Sequence, residues 1–261
     1  MVPIIERIDG LSFGRAYKIT CEDGVFLLPS VTTILKLIKI EKYETLKEQF
    51  GEDRWSKIMS DAAERGNILH RMLEIFLLEW TKEKNVEKSL KRAQIFAMEE
   101  ASKDDGINKK LVEKGRGLFW NFYHDRFWEN ISEVVENEIF LYTTFKGGWA
   151  GASDFVYRDL EGNLIVEDFK SSTFIKNEDD IKAYYLQISA YMFMCAEKYK
   201  EVPKMGRIRI ANENSEEIQT FVVYDYELKK YLGEFIDLLN KFNEINNIKE
   251  TYHNLTNIKI K

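Results

Sequence analysis

The sequence is poor in the residues that break or cross-link a chain. Its 261 residues include only three prolines and fourteen glycines, too few to build long linkers or disordered tails. It has two cysteines, Cys21 and Cys195, which lie far apart and fit no metal-ligand spacing. We therefore expect reduced thiols in an intracellular protein, and neither a disulfide framework nor a zinc site.

Long apolar runs are also absent. No segment reaches the roughly eighteen uninterrupted apolar residues of a membrane span, and the N-terminus lacks the features of a signal or transit peptide. The sequence therefore predicts a cytoplasmic protein with no membrane partner. Hydrophobic residues still make up 44% of the chain, which is enough for a sizeable core, and we expect one α/β domain over residues 1–261.

An excess of positive charge is missing as well. The formal net charge is −6 at pH 7, which is not typical of a protein that binds nucleic acid. The sum is a weak argument, because the local clustering of charges decides such binding. Acidic residues around a bound cation also make the sum negative without repelling a phosphate. Composition therefore leaves a nucleic-acid substrate open.

One hairpin carries ionisable residues that stability alone does not require. Residues 149–170 contain two β-patterned runs around a glycine turn, with Asp154 in the first run. The second run ends in Asp168-Phe169-Lys170, where the alternation of a strand places Asp168 and Lys170 on one face and Phe169 on the other. A carboxylate and an amine thus lie side by side at the end of an apolar strand.

The turn sets how the two runs align. A three-residue loop over residues 160–162, with Gly162 in the left-handed conformation, is a common hairpin connection. It predicts Tyr157 opposite Ile165 and Asp154 opposite Asp168, so that both carboxylates share a face. A slip of one residue would move Asp154 to the other face of the sheet.

This arrangement indicates a metal-dependent site that cleaves phosphodiesters. Converging carboxylates repel each other unless a cation lies between them, and oxygens from Asp154, Asp168 and a backbone carbonyl near Phe169 suit Mg²⁺ or Mn²⁺. Such an ion activates water and offsets charge on a phosphate, while Lys170 would orient the water or stabilise the transition state. The alternative is a buried Asp–Lys ion pair, which is weak evidence for stability.

The rest of the chain alternates between strand and helix patterns. We predict strands near residues 17–20, 25–28, 133–144, 207–211 and 217–224, and helices near 61–80, 179–199 and 226–246. A helical insertion at about 82–128, with a break near 103–106, is rich in lysine, arginine and aromatic residues. It forms either a solvated face over an aromatic core or, in part, a basic and aromatic path for single strands.

Two positions on predicted helices have both a structural and a functional interpretation. Ser30 precedes a helix pattern and suits an N-cap. Alternatively, the hydroxyls and amides of this helix start, with Ser30 and Thr32, would contact a phosphate. His70, on the helix that also contains Arg65, is either a structural histidine or a metal ligand.

The order of these elements resembles the PD-(D/E)xK nuclease superfamily, and more narrowly its RecB-like exonuclease branch. The resemblance rests on Gly66-xxx-His70, on Gly151-Ala-Ser-Asp154, on Glu167-Asp168-Phe169-Lys170-Ser171-Ser172, and on Gln187-xxx-Tyr191. The Pro29-Ser30-Val31-Thr32 segment is similar to an N-terminal motif of phage nucleases of this type and of mitochondrial genome maintenance exonucleases.

The resemblance implies a restriction-endonuclease-like α/β fold, with a central mixed β-sheet flanked by helices and an added helical region. It implies that His70, Asp154 and Asp168 bind the metal and that Lys170 is the catalytic lysine. Gln187 and Tyr191 would support the site or contact DNA, and Glu138 is a further acidic residue expected near it. Ser30, Thr32 and Arg65 are the remaining candidates for substrate binding or site support.

The chain departs from the family pattern at several points. Ser153 stands where the family name has proline, and Asp168 stands where many members have glutamate. The iron–sulphur cluster of some RecB-like relatives needs four cysteines, so we expect none here.

The leading hypothesis is a Mg²⁺- or Mn²⁺-dependent DNA exonuclease that acts on single-stranded or free-ended DNA. The alternatives are a structure-specific endonuclease or nickase, a catalytically silent DNA-binding recombination accessory protein, and an unrelated protein whose aspartates match by chance. In the last case Asp154 and Asp168 would lie on opposite faces.

Overall fold

The computed structural model describes residues 2–103 and 107–248. The strands in this part of the chain are β1 (Ile4–Leu11), β2 (Gly14–Cys21), β3 (Gly24–Pro29), β4 (Ile131–Thr143), β5 (Trp149–Asp159), β6 (Leu164–Ser172), β7 (Met205–Asn212) and β8 (Ser215–Tyr224). The helices are α1 (Val31–Phe50), α2 (Glu52–Glu83), α3 (Val86–Ser102), α4 (Ile107–Asp125), α5 (Glu178–Tyr199) and α6 (Asp225–Ile245), with 3-10 turns at Phe127–Asn130 and Phe145–Gly147.

The larger sheet has five strands in the order β4-β5-β6-β7-β8. Neighbouring strands are antiparallel except β6 and β7, which are parallel. A parallel pair requires a crossover connection, and α5 provides it. The predicted mixed sheet is therefore confirmed, and the parallel step places α5 directly over the strand that carries Asp168 and Lys170.

Helices cover both faces of this sheet. One core lies between α1, α5, α6 and the face that includes Val156, Val166 and Ile208. A second core lies between α2, α3, α4 and the opposite face, which includes Phe155 and Phe169. This layered arrangement confirms the expected restriction-endonuclease-like architecture.

A smaller antiparallel sheet, β1-β2-β3, packs through Ile19 and Leu28 beside Ala150 of β5. The hairpin between β2 and β3 agrees with the strands predicted near residues 17–20 and 25–28. Strand β1 was not predicted, because its side chains are mostly exposed and it lacks the alternation that marks a half-buried strand. Helix α2 also begins nine residues earlier than predicted, since its first turns contribute little to the core.

Several aromatic residues of the helical region from α2 to α4 are core residues. Phe119, Phe122, Phe127 and Trp128 are buried in the second core, as the interpretation of an aromatic core predicts, so these four do not line a path for single strands. The predicted break near residues 103–106 lies largely outside the described residues. No helix in the described part of the chain is both long and apolar enough to cross a membrane.

Two glycines of α4 provide a matched test of the packing between α2 and α4. A Cβ at Gly115 would lie 2.7 Å from Ile68 Cβ, whereas a Cβ at Gly117 would meet nothing within 4 Å. We expect Gly115→Ala to lower the free energy of unfolding by about 1–3 kcal/mol through overpacking. Gly117→Ala should raise it by up to about 1 kcal/mol, because alanine favours a helix. Urea unfolding of both variants measures the difference, and equal effects would contradict this packing.

Candidate active site

The hairpin of β5 and β6 has the predicted register. Tyr157 pairs with Ile165, and the loop glycine Gly162 has a φ of +84°. The Asp159 carboxylate fixes the turn by accepting hydrogen bonds from the amides of Glu161 and Asn163, both at 2.9 Å. The register brings Asp154 and Asp168 to the same end of the hairpin, which contradicts the hypothesis of a chance match with aspartates on opposite faces.

The two strands separate at the point where Asp154 and Asp168 would face each other. The regular pairing ends at Phe155 and Glu167. Beyond it, the Phe169 amide donates to Asp154 Oδ2 at 2.6 Å in place of a backbone carbonyl. Because the amide and carbonyl of one strand residue point to the same neighbouring strand, the Phe169 carbonyl also faces the side of Asp154. The predicted backbone ligand is thus directed toward the predicted carboxylate ligand.

Asp168 is held on one side by Lys170 and on the other by α5. Lys170 Nζ forms an ion pair with Asp168 Oδ2, and Gln187 Nε2 donates to Asp168 Oδ1 at 3.2 Å. The same amide nitrogen donates to Tyr191 Oη at 3.1 Å. Gln187 and Tyr191 are both buried. Gln187, which also contacts Tyr191, therefore orients the Asp168 carboxylate from the side of α5.

His70 reaches the site from α2. Its Nδ1 lies 3.2 Å from Asp154 Oδ1. On α2, His70 directly follows Ile68 and Leu69, which belong to the second core. Its side chain extends to the point where β5 and β6 separate. The structure therefore brings His70 together with the two aspartates and Lys170, as the sequence predicted for the proposed ligand set.

The charged groups of the site shift one another's pKa values. Burial raises the pKa of Asp168 to about 6, because it outweighs the lowering by the charge of Lys170, and the nearby Asp154 carboxylate adds to the rise. Burial would also raise the pKa of Asp154, but His70, the charge of Lys170 and the Phe169 amide together outweigh it and hold that pKa below its usual value. Burial opposes the charge of Lys170, yet the two aspartates raise its pKa above the usual value. Lys170 is therefore positively charged at neutral pH in the metal-free protein.

The raised pKa of Asp168 predicts a pH-dependent stability in the metal-free protein. A carboxyl whose folded pKa exceeds its unfolded value of 3.8 contributes stability that is present below about pH 4 and is lost as the pH rises through about 6. We expect the free energy of unfolding in EDTA to fall over this range by more in the wild type than in Asp168→Asn. Urea unfolding at several pH values measures this, and parallel curves for the two proteins would contradict it.

The donor set fits a hard divalent cation. The set contains two carboxylates and a strand carbonyl, which are the oxygen ligands that Mg²⁺ and Mn²⁺ take, and the imidazole of His70 lies beside them. Asp168 Oδ2 is buried and, apart from its ion pair with Lys170, accepts no aligned hydrogen bond, so it has unused acceptor capacity. Among the described residues, no three acidic, histidine or cysteine side chains converge on one point, because the carboxylates turn toward His70, Lys170 and the Phe169 amide.

Close packing explains one glycine of the hairpin. A Cβ at Gly151 would lie 2.9 Å from Tyr191 Cε1, so only glycine lets the tyrosine ring pack on the strand three residues before Asp154. The glycine of the Gly-Ala-Ser-Asp motif and the tyrosine of the Gln-xxx-Tyr motif are therefore in contact. Two sequence motifs that lie forty residues apart along the chain describe one packing contact.

The segment around Ser30 acts mainly as a helix cap. Ser30 Oγ accepts from the Thr33 amide at 3.0 Å, which confirms the predicted N-cap. The buried Thr33 hydroxyl is also used internally, since it donates to the Arg15 carbonyl at 3.0 Å. Thr32 is exposed and lies 3.1 Å from Ser30 through its hydroxyl. A phosphate contact by Ser30 or Thr32 stays a prediction.

Arg65 lies one and a half turns before His70 and is buried against the end of the sheet. It forms an ion pair with Glu213 in the turn between β7 and β8, and it donates to Thr173 Oγ1 at 3.2 Å. Lys114 of α4 also donates to Glu213, at 2.6 Å. These contacts tie α2 and α4 to the sheet. A contact between Arg65 and the substrate stays a prediction.

Two further acidic residues lie near the site. Glu138 of β4 falls between the residue pairs that flank Asp154, and its φ of +51° is strained for a non-glycine residue. Burial and the charges of Glu74 and Asp154 raise the pKa of Glu138. The sequence indicated Glu138 as an additional acid, and its role stays a prediction. For Glu74, the sequence indicated only its place one turn after His70 and not that it lies near Glu138.

Sequence reasoning missed a buried charge network on the opposite face of β6. Glu167 has no exposed surface, and its carboxylate contacts Arg209 and, at 3.2 Å, Arg207 Nη2. Arg209 also pairs with Asp125 at the end of α4. Burial raises the pKa of Glu167 to about 7 despite the arginines. The sequence does show two arginines at alternate positions of β7, which indicates that both lie on one face. That they meet Glu167 depends on the parallel register of β6 and β7, which the sequence pattern does not give.

A family model and solved structures relate this arrangement to known proteins. The model of the PD-(D/E)XK nuclease superfamily matches residues 42–254, most of the chain. This protein belongs to that superfamily. It is therefore a nuclease by family, with nucleic acid as the substrate class, and nucleases of this family generally use divalent metal ions. The matched range includes the predicted site residues from His70 to Tyr191 and excludes Ser30 and Thr32.

The solved structures are more distant. A protein described as "Putative exonuclease" from Eubacterium rectale is 13% identical, aligns over 72% of this chain and 76% of its own, and has a TM-score of 0.44. A second, SSO0001, is 14% identical over 67% of this chain and 74% of its own, with a TM-score of 0.35. No curated protein matches the chain.

Proposed function

We propose that this protein is a Mg²⁺- or Mn²⁺-dependent DNA exonuclease of the RecB-like type, acting on single-stranded or free-ended DNA. The observation that carries the proposal is the meeting of His70, Asp154, Asp168 and Lys170 where β5 and β6 separate. His70, Asp154, Asp168 and the Phe169 carbonyl would hold the ion. When bound, it would activate water and neutralise charge on the scissile phosphate.

The protein's own residues contribute three things to this chemistry. Lys170 is a buried cation beside Asp168, and it would stabilise negative charge that develops on the phosphate. Gln187 fixes the carboxylate of Asp168 by its hydrogen bond, which limits reorganisation during the reaction. Before the ion binds, His70, Lys170 and the Phe169 amide together hold the pKa of Asp154 below its usual value, so that its carboxylate is already ionised and can accept a cation.

A basic groove supports a path for the strand. A cavity of about 440 Å³ lies between α2 and α4 and includes Thr173, three residues after Lys170. Its cationic residues are Lys57, Arg65, Lys110 and Lys114. Asp61 pairs with Lys57, and Glu213 pairs with both Arg65 and Lys114, so these four cations exceed these two acids by two charges. This local positive excess favours a polyanion at the groove. Of the basic residues of the predicted insertion, Lys110 and Lys114 line it.

The decisive experiment compares linear and circular single-stranded DNA of the same sequence. Both substrates are labelled and incubated with Mg²⁺, with Mn²⁺ or with EDTA. We expect degradation of the linear strand only when a divalent ion is present, and intact circles throughout. Cleavage of the circles would favour the endonuclease or nickase alternative. Binding of DNA with no degradation in either metal would favour the silent accessory protein.

A further inference from the structure

A second group of cations lies near Lys170, on α1 and on the segment before α5. Lys39 of α1 is partly buried, and its Nζ lies 5.1 Å from the ring centroid of Tyr184 on α5. The charges of Lys170, Lys176 and Lys42 all act on Lys39. Four lysines from α1, from the end of β6 and from the loop before α5 are therefore gathered at one edge of the candidate active site.

Two of these four lysines pair with carboxylates. Asp168 pairs with Lys170, and Asp180 pairs with Lys42 at 2.7 Å. Among the described side chains, no carboxylate lies within ion-pair distance of Lys39 or Lys176. Of these two lysines, Lys39 is partly withdrawn from water. Burial, followed by the neighbouring lysines, lowers the pKa of Lys39 to about 8.

Two contacts position these lysines. The side chain of Gln219 binds the backbone of Lys176, since its Oε1 accepts from the Lys176 amide at 2.8 Å and its Nε2 donates to the Lys176 carbonyl at 2.9 Å. The ammonium group of Lys39 lies over the ring of Tyr184. Like charges that are kept near one another cost free energy in the free protein, and a bound anion relieves that cost.

We propose that Lys39 and Lys176 form a phosphate-binding pocket for the DNA strand, which holds a backbone phosphate next to the one that is cleaved. This inference rests on the proposed nuclease function and adds a substrate contact to it. The pocket adjoins Lys170. A phosphate bound there would therefore place the DNA across the point where β5 and β6 separate. Lysine suits this role because it binds a phosphate as a point charge.

The test measures how salt affects the binding of a fluorescent single-stranded DNA oligonucleotide in EDTA, where the DNA stays intact. Each phosphate contact to a single strand contributes about −0.7 to the slope of log K against log salt concentration. We expect Lys39→Met to reduce the size of this slope by about 0.7 and to weaken binding roughly tenfold at low salt. Lys39→Arg should keep the slope, because it keeps the charge.

Two further variants separate a phosphate contact from a structural role. Methionine retains the apolar stem that packs on Tyr184, so Lys39→Met tests the charge with little loss of packing. Lys229→Met, at an exposed position of α6, is the matched control and should bind as the wild type does. Lys176→Met should reduce the slope as Lys39→Met does.

The possible results distinguish this inference from the proposed function. An unchanged slope and affinity in Lys39→Met, in a protein whose wild type degrades DNA, would overturn the pocket and leave the nuclease assignment intact. A wild type that neither binds nor degrades DNA would overturn both. A rise in the KM of cleavage for Lys39→Met with little change in kcat would support the pocket, because it marks a contact made equally before and during the reaction.

Discussion

Lys170→Ala should abolish DNA cleavage while leaving the fold intact. Lys170 is a buried cation paired with Asp168, and under the proposed function its charge would stabilise the transition state. Removing one such preorganised group typically costs roughly 10²–10³ in rate. The measurement is the initial rate of degradation of an end-labelled strand with Mg²⁺. Circular dichroism and urea unfolding would show that the variant remains folded.

The matched control for this change is Lys229→Ala, which removes an exposed lysine of α6. It should degrade DNA at the wild-type rate. Lys170→Arg keeps the charge but replaces a point charge with a planar group, so we expect only partial activity. Full activity of Lys170→Ala in excess Mg²⁺ would show that this lysine is not the catalytic one.

Arg209→Met should cause the largest loss of stability. It would leave Glu167 buried beneath the sheet with Arg207 as its remaining cation, and breaking a buried ion pair typically costs about 3–5 kcal/mol. Because the pKa of Glu167 is already raised to about 7, protonation relieves the unpaired charge at lower pH. The loss should therefore be smaller at pH 5 than at pH 8. Urea unfolding at both values gives the free energies.

Arg158→Met is the control for Arg209→Met. Arg158 donates to Glu201 at 2.6 Å and 3.0 Å on the protein surface, where an ion pair contributes at most about 1 kcal/mol. Adding Glu167→Gln to Arg209→Met should recover part of the loss, because it removes the buried charge. If Arg209→Met and Arg158→Met unfold at the same urea concentration, the Glu167 network does not stabilise the fold as described here.

The parts of this site that the sequence predicts are those set by local rules. The glycine turn fixes the register of β5 and β6, and strand alternation then puts Asp168 and Lys170 on one face. The four-residue spacing between Gln187 and Tyr191 puts both on one side of α5. Each of these relations involves residues of one hairpin or one helix, so no knowledge of the rest of the fold is needed.

The parts that the sequence does not predict depend on contacts between distant segments. Glu167 meets Arg209 only because β7 lies parallel to β6 in a particular register. Lys39 meets Tyr184 only because α1 and α5 cover the same face of the sheet. The sequence also did not predict that the hairpin strands separate at Asp154. There the Phe169 amide donates its hydrogen bond to the Asp154 carboxylate and not to a backbone carbonyl of β5. The pattern of strand residues does not reveal this change of acceptor.

The site draws on segments that leave the ribosome at different times. Helix α2 with His70 is made first, the hairpin follows, and α5 with Gln187 comes next. Strand β6 gains its parallel neighbour only when β7, which ends at Asn212, has also been made. A chain that stops before Gln187 lacks the amide that orients Asp168, and a chain that stops before β7 lacks one neighbour of the strand that carries it. The proposed cleavage site therefore cannot form until about four fifths of the polypeptide, through Asn212, have been made.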